Sequence, residues 1–327
     1  MGYTLCVIGC GTMGVAILSG VVDTLKWPSP FPNGITHSSP SGVSTPVPTL
    51  ATVPDESLPS RFIACVSRDD SVRKLKRTFD ALGGLGQSIQ FIAGHNVESV
   101  AQADIIILCS KPHQAEGILT AHGMAAALEG KLLISILAGV KISQMRDWVP
   151  ASTRLIRAMP NTPCKIREGM TVLSSPDAEL HTPVHVLARD KEICTSIFSS
   201  IGRARFLDEK HFDACTALSG SGPAFACIFL EAMADGGVMM GLPRAEALEL
   251  AAQTLQGAAR MTLQEGAHPA AIKDTVTTPG GCTIAGVLML EDGRVRSTVA
   301  RAIQVATERA SELGQPAKPA GYRHHHH

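Results

Sequence analysis

The chain has 327 residues, 45% of them hydrophobic and 18% charged, and its 29 basic side chains are balanced by 29 acidic ones. That length accommodates two ordinary domains, and that hydrophobic content excludes a chain disordered throughout. Balanced charge and an aromatic content of 4% provide neither the basic footprint of a nucleic-acid or anionic-membrane partner nor stacking platforms for bases, so the expected partner is a small molecule.

The first element is predicted at once. Residues 3–9 (YTLCVIG) are an apolar run of strand character, and residues 12–22 carry apolar positions at helical spacing behind a polar opening. The join between them is Gly9-Cys10-Gly11-Thr12-Met13-Gly14, a G-x-G-x-x-G after a strand and opening a helix, the context in which backbone N–H groups can face a pyrophosphate. Gly9 is expected to make the tight turn, Gly11 to admit the phosphate, and Gly14 to let helix and strand pack closely. A glycine-rich turn of purely structural use is the competing reading. The early strand is expected to leave no room for a signal or transit peptide, no apolar run of membrane-spanning length is expected, and a cytoplasmic location follows. Nine cysteines scattered among apolar neighbours, with no C-x-x-C pair, fit a reducing compartment in which they serve as small hydrophobes.

Residues 26–60 hold eight prolines among many serines and threonines and are expected to form an inserted loop. Strands are predicted at 61–67, 88–93, 104–110 and 131–137, with helices at 69–82 and 112–128. This alternation implies a parallel sheet covered by helices. Further strands are expected at 154–159, 170–175 and 203–207, with a helix at 190–200. Where the second strand ends, Ser67 and Arg68 stand in place of the carboxylate that would accept ribose hydroxyls. They suit a 2′-phosphate, so NADPH is favoured, with NADH as the alternative. Cys109, Ser110, Lys111 and Pro112 end the fourth strand and Leu137 and Ala138 the fifth, both at the ligand-binding edge. Lys111 reads more readily as a surface or helix-start residue than as a catalyst.

From residue 210 onward strands vanish. Helices are predicted at 212–218, 224–240, 244–265, 269–276, 283–290 and 295–313, broken by glycine and proline. The expected plan is thus a doubly wound α/β domain over 1–208, an all-helical domain over 209–314 whose widely apolar helices call for a second copy, and a tail over 315–327 whose terminal histidines are set aside as metal ligands. No metal site is expected: His181 and His185 are separated by Pro183, with no third ligand near. Ser219 and Ser221 lie in a glycine-rich turn without the elbow and histidine of a nucleophile site, and are expected to permit close helix packing. Thr277-Thr278-Pro279-Gly280-Gly281-Cys282-Thr283 places small residues just ahead of a helix, a turn able to bind a carboxylate through backbone N–H groups and the helix dipole. A turn capped by Thr283 is the structural alternative.

The stretch from Pro269 through Thr283 to Glu291 resembles the signature of pyrroline-5-carboxylate reductases. Leu218-Ser219-Gly220-Ser221-Gly222-Pro223-Ala224, Ala234-Asp235-Gly236-Gly237, Gly241-Leu242-Pro243-Arg244, Met159-Pro160-Asn161-Thr162-Pro163 and Ser110-Lys111-Pro112 are similar to the same family in the same order. The likeness spans nearly the whole chain except 26–60. It implies a Rossmann-type domain, an interlocking helical dimerisation domain, higher assemblies built from dimers, and NADPH-dependent reduction of L-1-pyrroline-5-carboxylate to L-proline. By resemblance, Val276, Thr278, Gly280, Gly281, Cys282 and Thr283 bind substrate, with the Thr283 hydroxyl on the ring nitrogen as the catalytic contact. Ile8 through Met13, Ser67, Arg68, Asn96, Cys109 through Pro112, Leu137 and Ala138 line the cofactor. Thr275 departs from the asparagine common in relatives. Two rivals remain at this point: an NADP-dependent reductase of hydroxy or oxo acids, disfavoured because no lysine of the helical half is well placed to protonate a carbonyl oxygen, and a non-catalytic NADP(H)-sensing dimer.

Overall fold

The computed structural model describes residues 2–26, 58–175 and 182–313. Eight strands, β1 (Tyr3–Ile8), β2 (Pro59–Val66), β3 (Gln90–Ala93), β4 (Ile105–Leu108), β5 (Leu132–Ser135), β6 (Arg154–Met159), β7 (Gly169–Ser174) and β8 (Gly202–Phe206), form one sheet in the order β3-β2-β1-β4-β5-β6-β7-β8. Seven helices flank it: α1 (Thr12–Lys26), α2 (Asp69–Asp80), α3 (Asn96–Ala101), α4 (Ala115–Leu119), α5 (Met124–Leu128), α6 (Ile142–Arg146) and α7 (Val184–Ser199). β1 pairs in parallel with β2 on one side and β4 on the other, so the winding reverses there and the crevice at the carboxyl ends is the natural ligand site.

The period of two decides which residues meet which layer. Leu5 and Val7 enter a core with Ile17, Phe62 and Phe198, while Cys6 and Ile8 enter the opposite core with Ile63, Ile106 and Met145. Both faces are dry, which is why these strands read as continuous apolar runs. The expected parallel sheet is corrected in one place: β6 and β7 are antiparallel, because a 3₁₀ turn over Thr162–Ile166 and the left-handed Arg167 (φ 62°) reverse the chain without a crossover helix. The expected helix at 112–128 is also divided. Gly123, at φ 83°, separates α4 from α5. α7 begins before the expected residue 190, directly behind Pro183.

Residues 27–57, the bulk of the expected insertion, lie outside the described residues, as does the tail; Pro59 and Ser60, counted with the insertion, belong to β2. His181 is likewise outside them.

After β8 every described helix belongs to the second half: α8 (Phe212–Cys215), a π-helical turn (Thr216–Gly220), α9 (Gly222–Met239), α10 (Arg244–Glu265), α11 (Pro269–Val276), α12 (Cys282–Asp292) and α13 (Val295–Leu313). The π-turn corrects the expected uniform helix at 212–218. Phe212, Ala217, Ala234, Ala247 and Ala251 are the only buried hydrophobic residues of this half among those described, whereas Ile228, Met239, Met240, Leu288 and Met289 are exposed. Apolar helices left so open within one chain call for a covering surface. One stretch, Glu209–Met239, has the length and the mean hydropathy (1.3) to cross a membrane, which corrects the expectation that no run would do so. α12 shares its apolar character, whereas α10 and α13 do not.

Candidate active site

The glycine loop after β1 is shaped by three different demands. Gly9 has φ 77°, and a Cβ there would stand 2.8 Å from the backbone nitrogen of Ser110, so both conformation and neighbour require glycine. At Gly14 a Cβ would lie 3.1 Å from Cγ1 of Val7, which is the close helix–strand packing expected of it. Gly11 differs: its added Cβ would meet only the Gly9 carbonyl, at 3.9 Å. Packing therefore does not need that glycine, and the free space suits an approaching ligand.

The loop is anchored by Gly9 and Cys10, whose N–H groups both donate to the Cys65 carbonyl at the end of β2, at 3.0 and 2.9 Å. α1 then makes its first helical bond from Val15 to the Gly11 carbonyl. Among the described residues no acceptor takes the N–H groups of Thr12, Met13 or Gly14. Three unclaimed donors at the positive end of a 15-residue helix, over a cleft at the switch point of the sheet, have the chemistry to hold a pyrophosphate.

The other expected cofactor residues collect on the same edge. Ile8 bonds Cys109 across the sheet, its carbonyl accepting from the Cys109 N–H at 2.8 Å. Ser110 follows with its Oγ buried and without a hydrogen-bond partner. A buried hydroxyl costs free energy unless something bonds it, and a ligand in the crevice would. Lys111 is exposed and leads into a 3₁₀ turn that Pro112 opens. Leu137 is buried after β5, with Ala138 exposed beside it. Ser67 and Arg68 follow β2, both exposed, and Arg68 has no ionic partner among the described residues. Asn96 opens α3, half-buried. Burial pushes the Cys10 thiol up to about 12, with Cys65 adding to the effect, and burial then Cys10 raise Cys109. Both stay neutral at ordinary pH and are wall residues rather than nucleophiles. These residues fit NADP(H): donors for the pyrophosphate, an unpaired guanidinium for a 2′-phosphate, and small side chains along the edge.

The second cluster lies between α11 and α12. The Gly281 N–H donates to the Thr278 carbonyl at 3.0 Å across a tight turn with Pro279 second and Gly280, at φ 68°, third, the residues a type II turn demands. Gly281, not Thr283, is the N-cap of α12. A Cβ on Gly281 would meet Thr278 Oγ1 at 2.4 Å, so the Thr278 hydroxyl is folded against the loop. The first long helical bond runs from Ala285 to the Gly281 carbonyl, and among the described residues the N–H groups of Cys282, Thr283 and Ile284 are unclaimed. Thr283 is half-buried in the first turn, and its hydroxyl has no hydrogen bond among the described residues. Val276 and Cys282 are exposed. Residues of this loop bond only to their own neighbours: Thr277 to Lys273 and Asp274, Gly281 to Thr278. The structure brings the expected substrate residues together, and the expected cofactor residues together, and among the described residues no hydrogen bond joins the two groups.

Sequence reasoning overlooked what joins the halves. Arg157, buried on β6, donates to Glu209, whose carboxylate also accepts the N–H of Ile142 at the start of α6. The Ser219–Ser221 turn is not the close helix contact expected of it: a Cβ on Gly222 would meet nothing within 4 Å, and the Ser219 Oγ bonds back to the Cys215 carbonyl.

Comparison with known proteins agrees with both halves. The description of the pyrroline-5-carboxylate reductase dimerisation domain matches residues 209–313, and that of coenzyme F420-dependent NADP oxidoreductases matches residues 51–139. The pyrroline-5-carboxylate reductase of Lophium arboricola is 46% identical, with 95% of this chain and 93% of that protein covered. The enzyme of that name from Schizosaccharomyces pombe is 43% identical, covering 95% and 99%. Among solved structures, a pyrroline-5-carboxylate reductase from Coxiella burnetii superimposes with a TM-score of 0.76 at 25% identity, covering 96% and 99% of the two chains. The Plasmodium falciparum pyrroline carboxylate reductase with NADP bound gives 0.69 at 26% identity, covering 96% and 98%.

Proposed function

Because the chain belongs to the pyrroline-5-carboxylate reductase family, we propose that its two unclaimed helix N-termini are the two halves of one reductase site. The reaction is reduction of L-1-pyrroline-5-carboxylate to L-proline, the closing step of proline biosynthesis. NADPH, when bound, supplies the hydride that enters the C=N carbon. The first turn of α1 holds its pyrophosphate, Arg68 and Ser67 hold the 2′-phosphate, and Ser110 offers a hydroxyl on the crevice wall.

The substrate half follows from the same physics. The N–H groups of Cys282, Thr283 and Ile284 donate to the ring's carboxylate, with Thr278, Gly280 and Gly281 shaping the approach and Val276 flanking it. That orientation sets the Thr283 hydroxyl beside the ring nitrogen. A protonated cyclic imine is already electrophilic, so alignment matters more than a strong acid. Thr283 holds the nitrogen's lone pair or proton in place as the iminium becomes an amine. The observation that carries this assignment is a polar hydroxyl left unpartnered in the first turn of a helix that also leaves three N–H groups free.

Among the described residues the loop makes no hydrogen bond to the nucleotide half of its own chain, and α12 has no buried residue. Both facts support a dimer in which the loop of one protomer closes over the nucleotide half of its partner. Nine free cysteines support a reducing, cytoplasmic setting. The test is NADPH absorbance with purified protein. Oxidation driven by pyrroline-5-carboxylate and not by a 2-oxo acid is expected; oxidation driven only by the oxo acid would overturn the substrate assignment.

A further inference from the structure

Three alternate residues, two in β6 and one just beyond it, grip the helical half at helical spacing. Arg157 Nη1 donates to Glu209 at 2.9 Å while its guanidinium lies 4.6 Å from the centre of the Phe212 ring. Met159 Sδ packs against the Thr216 hydroxyl, which itself donates to the Phe212 carbonyl at 2.8 Å. Asn161 Nδ2 donates to the Ser219 carbonyl at 2.9 Å. Residues 157, 159 and 161 share one face of an extended segment, and residues 209, 212, 216 and 219 follow successive turns of the facing one. The last contact sits at the carboxyl end of β6. That end shares the ligand edge with Ile8, Leu108 and Ser135, since β6 runs parallel to β5 and β5 to β4.

The Ser219 carbonyl needs this donor for a reason written in the sequence. In an α-helix its partner would be the N–H of residue 223, and Pro223 has none. The π-turn does not repair the loss, because Ser221 N–H bonds Thr216 and Ala224 N–H bonds Ser221. Asn161 fills the gap from outside the helix. Its amide has a fixed orientation, since Oδ1 accepts the Met170 N–H at 2.8 Å and the NH₂ must then face Ser219. Beyond the latch, the turn opens into free space at Gly222. Single π-turns inside α-helices recur at functional sites.

We propose that Asn161 is a positioning residue for the reductase, holding the Ser219–Gly222 turn at the rim of the crevice so that the turn forms a wall for the imino-acid ring. This rests on the assignment of substrate above. Asn161 need not touch the ring; it acts through the turn, and the nucleotide cleft at α1 lies outside its reach.

The decisive variant is Asn161→Asp, which keeps the acceptor for Met170 and the side-chain size but removes the donor to Ser219. Hydrogen–deuterium exchange over residues 216–224 is expected to quicken, with exchange in β7 unchanged. Alongside it, kcat/KM for pyrroline-5-carboxylate is expected to fall about tenfold while NADPH affinity stays at its wild-type value and the thermal midpoint drops modestly for the lost hydrogen bond. The double variant Asn161→Asp/Pro223→Ala, which returns an N–H to the Ser219 carbonyl, should recover part of that loss. Unchanged exchange over 216–224 overturns the latch. Faster exchange with unchanged kcat/KM overturns the wall, and so does an equal loss of NADPH affinity, which would mark a merely structural joint. A wild-type protein inactive on pyrroline-5-carboxylate contradicts the assignment of substrate instead, and the exchange measurement still decides the latch.

Discussion

Two helices of this chain begin in the same way and end in different company. α1 and α12 each follow a glycine, and each leaves three first-turn N–H groups unclaimed among the described residues. Around α1 the neighbours are finished: Ile17 and Leu18 are wholly buried, and the preceding loop is bonded to β2. Around α12 they are not, for Leu288, Met289 and Leu290 are more than half exposed and no residue of the helix is buried. An anion site rooted in a sheet is complete in one chain, while one rooted in an open apolar helix needs a second copy to become a pocket. On the proposed reading, the sheet half binds a nucleotide by itself and the helical half works only once a second copy covers it.

The harshest way to break that comparison is a charge on the open face. Leu288→Glu is expected to leave a folded monomer by analytical ultracentrifugation, with NADPH binding retained and turnover below detection, because a desolvated carboxylate opposes association. A dimer with normal turnover would show that α12 is not covered. Next in size is Thr283→Ala, which removes the hydroxyl proposed to meet the ring nitrogen. Steady-state kinetics should report a fall in kcat of roughly 10²-fold, the scale of a lost transition-state hydrogen bond, with NADPH affinity unaltered. Smallest is Arg68→Ala. It should raise KM for NADPH about tenfold and barely move KM for NADH, since only the former has a 2′-phosphate to lose. Equal effects on the two would place the preference elsewhere.

Much of the nucleotide half is legible because its signals are local. A buried strand is a continuous apolar run, and Gly9 and Gly14 each answer a demand arising within a few residues or one strand away. The helical half is legible as helices and as an apolar surface, and the turn at Thr278–Gly281 announces itself through Pro279 and Gly280. What escaped depends on distance in the chain. Nothing near β6 says that it meets β7 antiparallel, since the reversal rests on Arg167 taking φ 62°. The partners of Glu209 lie 67 and 52 residues away, and Asn161 reaches Ser219 across 58. Yet one clue was available: Pro223 strips a carbonyl of its donor four residues earlier, and a helix that loses a bond there must find one elsewhere.

Mixed dimers test directly whether each site is built from two protomers. Gly11→Asp puts a carboxylate where the pyrophosphate approaches, in space open enough that folding should survive, and Thr283→Ala disables the loop. Each variant alone is expected to be nearly inactive. Co-expressed and purified as heterodimers through two different tags, they should regain roughly half the activity of a wild-type dimer, because one nucleotide half and the partner's loop are both intact at one of the two sites. Heterodimers as inactive as their parents would mean that each loop serves its own chain, and the division of labour between the halves would have to be redrawn.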